Sequence, residues 1–399
     1  MRWSHNKHRL TPNFVMIICW SSLCFGQLSG RFYLDREAYT PGEPVFLYFE
    51  LTNNGAVAYN ILAADPYSFC SGYRIHVSTD PKPGSVCEQL GRAGSCLLSH
   101  VLLLPGKSRT ERILLNYDHQ IDRPGDYQMG ARRRLPYREG ESSFLSSSSP
   151  AAEFAAQLRF RVDSHKSIYL YQRVLRRLAD QLQSSDPLTV SEAARTMAAL
   201  GPHSMESTLL RFPENSLSRP YAPLAFHRLN TKRSTLALAQ CLRQSRMGSP
   251  ENLESAAYLG DTGDPQWFPL LRELASKEPG GEYVYPAAQA GGDDAVPFLT
   301  ILMHRREKLS VEVAISGFAY TGSRAAIPIL LKLLNGANTD SADRALYGLR
   351  RLTHMTIGHE LLPVRPQSQY PRWAQWWERS GKTARIYKAN ECGDFHQLP

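Results

Sequence analysis

The chain has 399 residues, with 46 Lys and Arg against 37 Asp and Glu, a formal net charge of +9, and 42% hydrophobic residues. This balance excludes wholesale disorder, and the 27 Gly lack the three-residue period of a collagen-like rod. The length predicts two or three domains at ~100–200 residues each, and no apolar run reaches the ~18 residues of a membrane-spanning helix.

Residues 1–26 read as a secretory signal. Arg2, Lys7 and Arg9 stand in a stretch without acids, and an apolar core runs from Phe14 to Cys19 and on through Trp20, Leu23 and Phe25. That core suits a signal peptide and is too short to span a bilayer. Gly26 supplies a small residue for cleavage. An uncleaved anchor is one alternative. A lipid on Cys24 is another, although Leu23 is large for a lipobox. The expected location is therefore exported, periplasmic or extracellular. Cleavage lowers the charge from +9 to +6, and no basic-aromatic stripe accompanies it, so nucleic acid is not the expected partner. Export permits disulfides. Cys87 and Cys96 flank a short Gly-containing segment and form the expected pair, with Cys70 as competitor for either. Cys241 falls on an apolar helix position and reads as a small buried hydrophobe.

Residues 31–165 read as all-β. Val45, Leu47, Phe49 and Leu51 alternate at strand period. Asn53-Asn54-Gly55 signals a turn. Further strands are predicted at 57–62, 73–78, 97–103 and 110–116, at 126–134, and at 154–162 after a Ser-rich loop, 141–150. This spacing predicts a β-sandwich. Arg132-Arg133-Arg134 is the densest charge cluster, and alternation points Arg133 opposite to Arg132 and Arg134. The cluster reads as a solvated edge strand, or as a patch in which Arg132 and Arg134 meet an acidic partner beside Tyr137.

Residues 168–360 change to helical period, beginning with Ile168, Tyr171, Val174, Leu175, Leu178 and Leu182. A repeat follows. Its anchors are Leu200, Leu229, Leu259, Ala290, Thr321 and Leu352, in steps of 29, 30, 31, 31 and 31. Nine residues after the first five anchors come Leu209, Leu238, Phe268, Leu299 and Leu330, and twelve after come Phe212, Cys241, Leu271, Leu302 and Leu333. Seven before, alanine recurs at 193, 222, 314 and 345. Gly and Pro break each unit into two helices, as at Gly201-Pro202 and Gly291-Gly292, and Pro297 and Pro328 open second helices.

This unit resembles the HEAT family, in its short ~30-residue form similar to the phycobilisome-lyase repeats. Leu259-Gly-Asp-Thr-Gly-Asp264 and Thr321 to Pro328 carry the resemblance, which covers roughly 190–360. It implies an α-solenoid behind an Ig-like β-sandwich, of a bacterial exported type, and does not imply lyase activity. Residues 361–399, with Trp373, Trp376 and Trp377, read as a cap and tail that close the solenoid.

No catalytic constellation is recognisable, so no enzyme, cofactor or metal is expected. Pro363 stands where an H-E-x-x-H motif after His359-Glu360 needs its second His. His354 and His359 do not share a helix face, and Cys392 with His396 lacks further ligands, a loose tail being the plainer reading. Asp261, Asp264, Asp293 and Asp294 are expected to cap helices. The expected function is a non-catalytic exported scaffold binding a protein on the concave face of the solenoid. Its lining is assigned to the second helices, with Arg272, Thr300, His304, Arg305 and Lys332. The alternative is a protease-inhibitor-like or adhesion role for the sandwich loops, chiefly loop 80–96.

Overall fold

A computed structural model describes residues 27–64, 71–79, 98–119, 121, 123–140, 149–164, 168–278, 281–356, 365–388 and 396–397. The signal segment, Cys70, Cys87, Cys96, loop 80–96, His359 and Cys392 lie outside these residues, and so does most of the Ser-rich stretch.

The N-terminal part builds two sheets. Strands β1 (Leu28–Leu34), β3 (Phe46–Asn53) and β7 (Ser108–Leu114) form one, in the order β1-β3-β7, all antiparallel. The other runs β2 (Ala38–Tyr39), β9 (Ala151–Val162), β8 (Gly125–Glu139), β4 (Tyr59–Ala64) and β6 (Leu98–Leu103). A further strand, β5 (Tyr73–Thr79), also pairs with β8. The alternation of β3 buries Leu47, Phe49 and Leu51, which share one core with Met129, Leu135 and Phe160 of the second sheet. Burial of each such side chain contributes about 1.5–3 kcal/mol.

The arginine run is not on an edge strand. β8 is flanked by β9 along one side and by β5 and β4 along the other. Arg132 and Arg134 are exposed, as alternation predicts, whereas Arg133 is 1% exposed. It crosses between the sheets to Glu111 of β7, Nη1 to Oε2 at 2.6 Å, and lies over the Tyr73 ring at 4.0 Å. Tyr73 Oη donates to the same carboxylate at 2.5 Å. A charge can be buried here because its partner faces it across the core.

Thirteen α-helices are found among the described residues. After α1 (Ile168–Gln181), first and second helices alternate. The first helices are α2 (Pro187–Leu200), α4 (Ala222–Leu229), α6 (Pro250–Asp261), α8 (Val284–Gly291), α10 (Lys308–Gly317) and α12 (Thr339–Thr353). Between them come α3 (Glu206–Leu210), α5 (Lys232–Gln244), α7 (Phe268–Lys277), α9 (Ala295–Met303) and α11 (Ala326–Leu334), and α13 (Tyr370–Trp376) follows. The predicted periodic positions lie inside: the four alanines are buried, and so are all the +9 and +12 residues except Cys241 and Leu333, which are half-buried. Burial pushes the Cys241 thiol up to about 11, consistent with a packing role.

Helix pairing departs from the predicted unit. Each second helix packs more closely on the first helix of the next repeat (α5 on α6, α7 on α8, α9 on α10, α11 on α12) than on the first helix of its own. First helices also pack directly on one another, from α2 on α4 through to α10 on α12, while successive second helices make no comparable packing among the described residues. Small residues permit this approach: a Cβ added to Gly260 of α6 would lie 2.6 Å from the Pro286 Cα of α8.

The two parts share an interface. Leu114 and Tyr117 belong to the helical core, Arg112 of β7 pairs with Glu192 of α2, and Arg228 of α4 donates to the carbonyls of Asn116 at 3.3 Å and Tyr117 at 3.2 Å. At the other end, Trp373 and Trp376 are buried, 0% and 3% exposed, against the last helices. Residues 381–387 beyond them are held against the last repeats. Arg324 donates to the carbonyls of Gly381, Lys382 and Ala384 at 2.9, 2.6 and 2.7 Å, and the Tyr387 ring stacks on His354 at 3.8 Å. His396 and Gln397 pair with Met355 and Thr356 in a short parallel bridge.

Candidate binding face of the helical part

Aligning first helices on their anchors puts positions −1, −5 and −8 on one helix face, since they fall at i, i+3 and i+7. Tyrosine occupies one of these positions in five of six repeats: Tyr221, Tyr258, Tyr285, Tyr320 and Tyr347. All are half-buried except Tyr347, which is 40% exposed.

Contacts join these residues from helix to helix. Tyr221 shares hydrogen bonds with Ser191 (2.8 Å) and Arg195 (3.1 Å) of α2. Tyr258 of α6 stacks on His227 of α4, with ring centroids 4.4 Å apart. Gln289 of α8 donates to Asp261 of α6 at 3.0 Å. The ring of Tyr285 of α8 lies 5.1 Å from that of Tyr320, which follows α10. Arg344 of α12 reaches Glu312 (2.8 Å) and Ser316 (3.1 Å) of α10, and Arg351 lies over the Tyr320 ring at 4.5 Å. A continuous row of rings and polar groups therefore crosses all six first helices.

The row is partly desolvated, and its ionisable groups record this. Burial raises Asp261, against the Gln289 hydrogen bond and the Arg351 charge that lower it. Burial raises Glu282, with Glu278 adding to the shift, and raises the tyrosyl groups of Tyr285 and Tyr320. Burial, and then the Arg228 charge, lower His227 to about 4. Its folded value lies below the unfolded one, so the unfolded chain binds the extra proton. Stability is therefore present above about pH 6.5 and is lost as pH falls toward about 4. His227→Gln is expected to flatten that limb of a melting-temperature profile; an unchanged limb would remove His227 as its cause.

The binding residues expected from the sequence stand on other helices than this row. Arg272, His304, Arg305 and Lys332 are exposed as expected, Thr300 is half-buried, and all stand on or just after second helices. Among the described residues the side chains of Arg272, His304, Arg305 and Lys332 make no ion pair or hydrogen bond, and nothing brings them together. Of the four turn acids, Asp264 caps as predicted, accepting from the Gln266 amide at 3.0 Å. Asp261 instead bonds Gln289, and Asp293 accepts from Ser323, so both link neighbouring repeats. Asp294 makes no cap hydrogen bond.

Among the described residues no group of three His, Cys, Asp or Glu side chains is placed to share a metal ion, and no helix is long and apolar enough to cross a membrane. A cleft of about 480 Å³ is lined by Leu182, Gln183, Ser207, Arg211 and Glu214, among others, and shares no residue with the row.

No family model and no curated protein matches the chain. Among solved structures, part of the chain is similar to the complex of CpcE and CpcF of phycocyanin lyase from a Nostoc species, at 14% identity and a TM-score of 0.33, covering 50% of this chain and 93% of that one. It is also similar to Salmonella alpha-2-macroglobulin reacted with methylamine, at 11% identity and a TM-score of 0.18, covering 81% of this chain but only 26% of that one. Superpositions this loose establish neither activity nor partner.

Proposed function

We propose that the chain is a non-catalytic, exported protein-binding module, an Ig-like β-sandwich followed by a HEAT-like α-solenoid, whose partner binds along the first helices. The observation that carries this reading is the row of rings and polar groups, with a tyrosine in five of six repeats. Tyr supplies large, rigid, amphipathic contact area at low entropic cost, and a few Tyr, Trp or Arg anchors dominate protein interfaces. Direct packing of first helices, with no comparable packing between successive second helices among the described residues, supports the first-helix layer as the inner side of a curved array, where a ligand meets several repeats at once. On this reading Arg272, His304, Arg305 and Lys332 lie on the outer side. The Arg228 contacts support it too: this face already holds backbone carbonyls of the chain's own 116–117 turn.

The test is site-specific photo-crosslinking in the exported fraction of the native cell. Cross-linkers replacing Tyr285 or Tyr320 are expected to yield partner adducts, and those replacing Ile301 or Lys332 are not. Adducts from the second set alone would reverse the assignment.

A further inference from the structure

On β8 the odd-numbered residues Met129, Ala131, Arg133 and Leu135 are buried toward the facing sheet. Arg132 and Arg134 therefore stand together on the outer face, about 7 Å apart along the strand. The ladder sets Arg74 of β5 directly opposite Arg132, a pairing that brings Cβ atoms to about 5 Å. All three arginines are exposed, and among the described residues their side chains make no hydrogen bond or ion pair. Glu153 of β9 lies opposite Arg134 and forms no ion pair with it. The other neighbours are small. Ala155 of β9 flanks Arg132 on its second side, Gly130 precedes it by two, and Gly72 gives its carbonyl to the Arg134 amide at 2.9 Å. Tyr137, at an odd position, turns to the Tyr59 ring at 5.6 Å and is not part of this face. Like charges directly opposite in a ladder destabilise it. Protection of a sheet edge does not account for Arg132 and Arg134, because β8 is paired on both sides.

We propose that this face binds an acidic, extended polypeptide segment lying along β8, with alternate Asp or Glu side chains paired to Arg132 and Arg134 and with Arg74 sharing the carboxylate at Arg132. This surface lies on the β part and is separate from the tyrosine row of the first helices. Two observations select the occupant. The first is charge. A carboxylate set between Arg74 and Arg132 removes their repulsion, and guanidinium groups take carboxylates in a bidentate fork. The second is spacing. Alternate side chains of an extended segment recur about every 7 Å, which is the separation of Arg132 from Arg134 on their own strand. The low neighbours at 72, 130 and 155 leave room for a backbone to approach. The net charge of +9 disfavours a second copy of the chain as the source of the segment.

The test is fluorescence anisotropy of the full chain with a labelled Glu-Ser repeat peptide of about a dozen residues, a Lys-Ser counterpart and labelled heparin. The Glu-Ser peptide is expected to bind, to weaken with salt, and to bind the Arg74→Gln/Arg132→Gln variant at least about tenfold more weakly. The control is Arg173→Gln/Arg176→Gln, which removes two exposed arginines of α1 and is expected to leave the affinity unchanged. No binding of the Glu-Ser peptide, equal binding of the Lys-Ser peptide, unchanged affinity in the first variant, or equal loss in both variants would overturn the proposal. Heparin bound through Arg74 and Arg132 where the peptide is not would also overturn it, in favour of a sulfated polysaccharide. Arg132 is exposed, so Arg132→Gln alone repeats the comparison if the double variant does not fold. Cross-linkers at 285 and 320 report on the first helices separately, so failure of the peptide to bind leaves that reading standing.

Discussion

Glu111→Ala is expected to destabilise the β part by about 3–5 kcal/mol, because it strands a buried guanidinium. The Arg133 side chain is 0% exposed, and Glu111 is its only carboxylate partner among the described residues. Removing that carboxylate also leaves the Tyr73 hydroxyl without its acceptor. The measurement is denaturant unfolding followed by circular dichroism. The contrast that identifies the mechanism is Glu111→Leu with Arg133→Met. This pair removes both charges and is expected to recover most of the loss, since well-packed apolar replacements of buried ion pairs are near neutral or stabilising. A single variant as stable as the parent would mean that the pair is solvated.

Trp373→Ala is expected to cost about 3–5 kcal/mol, the range for emptying a buried aromatic site. Trp373 is 0% exposed and meets Trp376 edge-on, with centroids 5.5 Å apart. The loss should appear first at the C-terminal end, as hydrogen-exchange opening of α11 to α13 before the rest. Simultaneous opening of the whole helical part would instead mark it as one cooperative unit. Either way, a ring at this burial packs the end of the helical part and cannot serve as an open stacking platform.

Much of this was legible in the sequence because burial is periodic. The anchors, the alanines seven before them and the residues nine and twelve after them follow from a helix that must hide one face, and the alternation of β3 follows from a strand that must do the same. Less legible was anything set between elements. Alternation turned Arg133 away from its neighbours, but only the facing sheet shows that Glu111 awaits it. Leu28 to Gly30 lacks strand patterning, and the start of β1 there is decided by the ladder with β3. The tyrosine row escaped the sequence reading for a related reason. Exposed cations on second helices stand out in a linear reading, whereas the tyrosines recur at three different positions in the repeat, −1, −5 and −8. They form a row only once neighbouring first helices are known to touch.

The most direct measurement compares two double variants for capture of a partner from the exported fraction at moderate salt. Tyr285→Ala/Tyr320→Ala is expected to abolish capture with the fold retained by circular dichroism, and Arg272→Ala/Arg305→Ala to leave it intact. Capture that survives loss of the tyrosines but not of the arginines would contradict a first-helix binding face and return the site to the second helices.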